Sequence, residues 1–168
     1  LTVKNNPLVN KLFYKLKNRN CFPELIVFDK KKLSEEDLIR FCKRTGDEIN
    51  ELEFLDDKKK ENCAYKEINH NSKELGEIIK KHEIKFLVNA GTPRIINKNI
   101  FNNLDYGVLN CHPGILPFFR GCSCVEWSIY LDENVGNTVH WMDESIDTGP
   151  ILETKIIKCF MSDNYQDI

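Results

Sequence analysis

Apolar and polar positions fall along this chain in blocks whose period switches between helical and extended. In residues 7–17, Leu8, Leu12, Phe13 and Leu16 share one helical face, lysines and asparagines fill much of the other, and Pro7 suits a first turn, so the spacing predicts a short amphipathic helix. Leu25, Ile26, Val27 and Phe28 form a compact apolar run between Pro23 and three lysines, the pattern of a strand buried on both faces. Ser34 opens a Ser-x-x-Asp sequence, and Leu38, Phe41 and Cys42 follow at helical spacing, predicting a helix that Gly46 ends. Residues 47–63 are mostly charged and read as an exposed connection. Asn71 or Ser72 then caps a helix carrying Leu75, Ile78 and Ile79. Residues 84–88 read as a second buried strand ending at Asn89, Ala90 and Gly91, residues 108–112 as a third, and residues 123–131 as a helix.

Strands separated by helices of this length predict an α/β fold, Rossmann-like, with a mostly parallel sheet and helices on both faces. In such sheets, sites gather beyond the carboxyl ends of the strands. The tail changes character, since residues 137–141 and 150–159 read as an antiparallel hairpin near the C-terminus. Its connection, residues 142–149, exceeds the roughly 2 to 5 residues of most hairpin loops and carries Asp143, Glu144 and Asp147, a pattern expected of a functional loop.

Composition narrows the function classes. With 168 residues and 41% hydrophobic content the chain supports one ordinary core, so residues 1–168 read as a single domain. The opening on Leu1 rather than Met, and the close on what reads as the start of a helix, suggest trimming at both ends. Charged residues nearly cancel to −2, leaving no net basic field to capture nucleic acid non-specifically. Seven cysteines, an odd set without a disulfide-domain layout or a secretory leader before them, point to a reducing cytoplasm. No apolar run approaches the ~20 residues of a membrane-crossing helix, so no membrane partner is expected.

The chemistry concentrates on the third strand. Alternation along a strand turns Asn110 and His112 to one side and Cys111 to the other. An amide NH₂ beside an imidazolium suits the stabilisation of negative charge on a carbonyl oxygen under nucleophilic attack. A proton acceptor is missing from that pair, and Asp147 supplies it if the long loop folds back over the strand ends. Gly149 would permit close approach to a planar ligand. The plainer alternative is a capped strand end with a satisfied histidine.

The stretch NCHPGILPFFRG (110–121), followed by HWMDESIDTGPIL (140–152), resembles the paired signatures of the 10-formyltetrahydrofolate-dependent formyltransferase family. NAGTPRII (89–96) resembles that family's folate-side loop, and the good match runs over residues 84–159. The resemblance implies attack by an acceptor amine on the formyl carbon of 10-formyltetrahydrofolate, with Asn110 and His112 holding the oxyanion and Asp147 managing the amine's proton. It also implies a donor site formed by Arg94, Ile95 and Ile96 and by the loop residues Met142, Asp143, Glu144 and Ile146. Arg120 and Gly121 are the candidate substrate-binding residues; Arg120 would meet an anionic acceptor or the folate tail, with a loop arginine bridging local carbonyls as a nearly equal alternative.

A small-molecule amine is the favoured partner and tRNA the next. A nucleotide-linked amino sugar leads, ahead of methionyl-tRNA and glycinamide ribonucleotide, because the segment after Val3 has none of the glycines that cradle a phosphate in the glycinamide ribonucleotide enzymes. A hydrolase with water as acceptor and a folate- or nucleotide-binding module without activity are the alternatives. No metal is expected, since Cys122 and Cys124 stand too close for an ordinary zinc pair and begin a helix. His140 either borders the pocket or is structural, His70 and His82 receive no role, and Trp127 and Trp141 read as core.

Overall fold

The computed structural model describes residues 1–4, 6–31, 35–36, 39, 63–92 and 94–158. The helix expected from Ser34 and the charged connection after it lie almost wholly outside the described residues, as do Cys42 and Cys159. The chain divides into two compact units, one of Leu1–Glu77 with Ala90–Ile95, the other of Ile78–Asn89 with everything from Ile96 onward.

In the first unit, helix α1 (Pro7–Lys17) ends on Lys15 and Lys17, which suit the negative end of its dipole. Its buried residues Val9 and Phe13, four apart, join Ile26, Phe28 and Cys63 in one apolar cluster, whereas Leu12 and Leu16 are only half-buried. Strand β1 (Leu25–Phe28) is buried at Ile26, Val27 and Phe28 in succession, as a strand covered on both faces must be. It runs parallel to β2 (Ala64–Glu67), from Leu25 against Ala64 to Phe28 against Glu67, and a parallel bridge joins Phe28 to Thr2. The sequence pattern missed β2 because its four residues, Ala-Tyr-Lys-Glu, are all exposed and form no apolar run.

Helix α2 (Lys73–Lys81) starts where the Ser72 hydroxyl oxygen accepts the Leu75 N–H at 3.2 Å, the expected cap, and Leu75, Ile78 and Ile79 are buried. In the second unit, β3 (Phe86–Asn89) pairs in parallel with β4 (Gly107–His112), and the short helix α3 (Lys98–Phe101) lies between them in the chain. Helix α4 (Cys124–Tyr130) leads to β5 (Val135–Trp141), antiparallel to β4, and β6 (Ile151–Ile157) completes the expected antiparallel hairpin. Trp127 is not a core residue: it is 55% exposed, packs edge-on against Tyr130 and lines a surface depression. No helix among the described residues is long and apolar enough to cross a membrane.

His70, assigned nothing from its polar surroundings, is 0% exposed. Its Nε2 donates to the Val27 carbonyl at 3.1 Å, and its Nδ1 accepts from the Thr92 hydroxyl at 2.6 Å, a pairing that fits the neutral ring. Burial pushes the imidazole down to about 4. Asp29 lies beside it, where burial opposes the carboxylate but Arg94, followed by the backbone N–H groups of Lys31 and His70, outweighs that and holds its pKa below the usual range. An unfolded histidine titrates near ~6.5, so between that pH and about 4 the unfolded chain binds a proton the folded chain refuses. The contribution of neutral His70 is therefore complete above pH ~6.5 and is lost as the pH falls toward 4, by up to roughly 3 kcal/mol. Urea unfolding of the parent and His70→Gln between pH 7 and pH 4 measures this, and the difference between the two should narrow on acidification. A constant difference would mean that His70 does not titrate with folding.

Candidate active site

The register of the second unit's sheet sets three polar side chains in one row. Asn89 on β3 stands opposite Asn110 on β4, and Asn110 stands opposite His140 on β5. The Asn89 amide donates to Asn110 Oδ1 at 3.0 Å, and the Asn110 amide donates to His140 Nε2 at 3.1 Å. His140 Nδ1 donates to the Trp141 carbonyl at 3.0 Å, which leaves Nε2 as the acceptor. The Asn110 amide is thus fixed at both ends, through its oxygen and one of its two N–H groups. A register irregularity between β5 and β6 falls at Val139 and His140, where a bulge re-aims side chains.

Two residues along β4, His112 lies opposite Thr138 and is buried. The chain turns at Pro113 and Gly114, and the loop wraps back so that the Phe119 carbonyl accepts from His112 Nε2 at 2.8 Å. Gly114 permits this, because a Cβ there would stand 2.8 Å from that carbonyl and 2.9 Å from His112 Nε2. The Thr138 hydroxyl pins the turn, donating to the Gly114 carbonyl at 2.7 Å and accepting from the Leu116 N–H at 3.1 Å. The Cys124 thiol lies 3.3 Å from His112 Nε2, and burial raises its pKa, which keeps it a neutral neighbour.

The loop between β5 and β6 folds back and brings Asp147 to this face. Asp147 adopts a left-handed backbone, φ 51°, which aspartate tolerates better than most residues. Its Oδ2 accepts the Gly121 N–H at 2.9 Å and lies 3.3 Å from His112 Nδ1, while its Oδ1 lies 3.6 Å from His140 Nε2. Both His112 nitrogens face oxygen acceptors, so the ring donates at both when it carries its second proton. The contact to Asp147, at 3.3 Å, is longer than the roughly 2.7–2.9 Å of a full charge-assisted bond, so the Nδ1 proton can be shared with a further oxygen.

Within the loop, Asp143 accepts from the Ser145 N–H at 3.0 Å and from the Thr148 hydroxyl at 2.7 Å. Gly149 proves necessary for a reason other than ligand approach, since a Cβ there would overlap the Trp141 carbonyl oxygen. Of the remaining sequence-derived site residues in this unit, Met142 is half-buried with its N–H donating to the Val108 carbonyl at 2.8 Å. Glu144 pairs with Lys98 at 2.6 Å, Ile146 is exposed, and Ile96 is buried. Arg120 is exposed, and beside it a depression of about 220 Å³ opens between Phe118, Trp127 and Leu131. Arg94 and Ile95 belong to the first unit, where Arg94 Nε donates to Asp29 Oδ2 at 2.7 Å and Ile95 is exposed.

Sequence reasoning left His140 undecided and missed Asn89 and Cys124. A signal for Asn89 existed, since a polar residue ends that apolar strand just as Asn110 approaches the end of the next. Nothing local marks Cys124, which reaches His112 only because the intervening loop returns.

A family model described as "Formyl transferase" matches residues 27–168. The chain is 33% identical over 93 residues to the phosphoribosylglycinamide formyltransferase of Bacillus subtilis, an alignment covering 55% of this chain and 48% of the relative. It is 37% identical over 75 residues to the methionyl-tRNA formyltransferase of Wolbachia pipientis, covering 44% of this chain and 25% of that protein. Less than half of either relative's length is therefore spanned. Among solved structures, a sugar N-formyltransferase from Shewanella superposes with TM-score 0.65 at 24% identity over 99% of this chain and 59% of that one, a likeness of fold.

Proposed function

The chain belongs to the formyl transferase family, and from that membership we propose that it moves a formyl group from 10-formyltetrahydrofolate to an acceptor amine. The observation that carries this reading is the meeting of an amide, an imidazole and a carboxylate, Asn110, His112 and Asp147, at one end of β4. The amine nitrogen attacks the formyl carbon, and the carbonyl π pair moves onto oxygen. The second Asn110 N–H and the His112 Nδ1–H stabilise that oxyanion. Asp147 takes the proton from the new C–N centre, directly or through water, before the bond to N10 of the donor breaks and N10 regains a proton. Arg94 and Ile95 in the first unit, and Ile96, Met142, Asp143, Glu144 and Ile146 in the second, are assigned to the donor.

The depression beside Arg120 supports an acceptor with an aromatic base and an anionic group, because the exposed aromatic residues Phe118 and Trp127 and the planar cation of Arg120 line it. A nucleotide-linked amino sugar carries both, and it remains our preferred acceptor ahead of methionyl-tRNA and glycinamide ribonucleotide. Release of tetrahydrofolate is the direct test, measured with no amine and with each of these three acceptors. Turnover should require an added amine and be fastest with the nucleotide-linked amino sugar. Formate release without any amine would instead identify a hydrolase, and folate binding without turnover a module that only binds.

A further inference from the structure

The segment from Ala90 to Ile95 in the first unit is held from several sides by polar groups distant in sequence. The Ala90 carbonyl accepts from the Thr2 hydroxyl at 2.7 Å and from the Asn6 amide at 2.8 Å. The Thr92 hydroxyl donates to His70 Nδ1 at 2.6 Å, Arg94 Nε donates to Asp29 Oδ2 at 2.7 Å, and the Ile95 carbonyl accepts from the Asn71 amide at 2.8 Å. Two of these braces come from side chains with no exposure, the His70 ring and the Asp29 carboxylate. Asp29 is itself fixed, since Oδ1 accepts the Lys31 N–H at 2.6 Å and Oδ2 the His70 N–H at 3.2 Å. His70 is anchored to β1 through the Val27 carbonyl.

Burying a carboxylate and an imidazole is costly, and an apolar pair of similar volume would stabilise a core at least as well. What the polar pair adds is direction. It defines where Thr92 and Arg94 sit while Ile95, next along the chain, stays 72% exposed. An unbraced loop loses backbone freedom when a ligand arrives, whereas a braced one has met that cost on folding.

We propose that Asp29 and His70 are positioning residues that hold the segment carrying Arg94 and Ile95 ready for the formyl donor. The inference rests on the assignment of Arg94 and Ile95 to the donor made above. Neither Asp29 nor His70 touches the reacting atoms, and both act through the loop.

The test uses the full protein, with steady-state formyl transfer at varied donor and calorimetric titration with 5-formyltetrahydrofolate. Asp29→Asn should raise the donor KM about tenfold or more, with kcat and the acceptor KM within about threefold of the parent. The Asp29→Asn/Arg94→Gln double variant should bind donor no worse than Arg94→Gln alone, because one residue acts through the other. Thr92→Val, which removes the hydroxyl's bond to His70 without removing a charge, should weaken 5-formyltetrahydrofolate binding about threefold or more, and it decides the matter if Asp29→Asn does not fold. A fall in thermal stability with donor KM and folate affinity unmoved in these variants would make the braces purely structural and overturn the proposal. A parent chain that neither binds 5-formyltetrahydrofolate nor consumes donor would overturn the donor reading and this inference together, whereas an active parent with unaffected variants overturns the inference alone.

Discussion

Asp147→Asn should lower formyl transfer by about 10²–10⁴-fold while leaving the thermal midpoint within a few degrees of the parent. The amide is nearly the same size as the carboxylate and can still accept the Gly121 N–H that Asp147 now accepts at 2.9 Å, so the loop keeps its anchor. What disappears is the charge and the basicity: the amide cannot take the proton that the proposed mechanism hands to Asp147, and with its oxygen kept on the Gly121 N–H its NH₂ replaces Oδ1, which lies 3.6 Å from His140 Nε2. Measuring kcat beside a melting curve separates this loss from unfolding. Activity within about threefold of the parent would show that another group handles the proton and would remove Asp147 from the mechanism.

Gly149→Ala should be the most damaging single methyl in the second unit. The added Cβ meets the Trp141 carbonyl, which is backbone and has little room to yield. Trp141 donates its N–H to the Pro150 carbonyl at 3.0 Å, and Met142 donates to the Val108 carbonyl at 2.8 Å, so both sides of the contact are locked into the sheet. Such overpacking costs about 2–4 kcal/mol, or a fall of about 5–12 °C in the midpoint for a chain of this size. The alternative to unfolding is displacement of the loop, which would carry Asp147 from its place 3.3 Å from His112 and abolish turnover in a chain that remains folded. Circular dichroism and activity together distinguish the two routes, and a variant unchanged in both would refute the close approach at Gly149.

The division between what could be read early and what could not follows particular residues. Strand β1 announces itself as an unbroken apolar run, and α2 through a serine cap and buried positions at helical spacing, because burial on one or both faces leaves a local trace. Strand β2 leaves none, since its four residues are exposed and form no apolar run. His70 receives no role from its polar segment of Asn69, Asn71 and Ser72, and it becomes a buried brace only where β1 and the segment around Thr92 close on it. Trp127 errs the other way, an aromatic side chain that α4 leaves at the surface.

At the site, the alternation of β4 by itself places Asn110 and His112 on one side, and the excess length and acidic content of the loop after β5 mark it for a role. Local pattern determines this much because side-chain direction along a strand and the lengths of turns are properties of neighbouring residues. The row from Asn89 through Asn110 to His140, the return of the Phe119 carbonyl and Cys124 onto His112, and the 3.3 Å approach of Asp147 were decided only by the tertiary structure. Strand register and loop return are set by which distant backbones pair and which glycines let them approach, and no window along the chain holds both partners of such a contact.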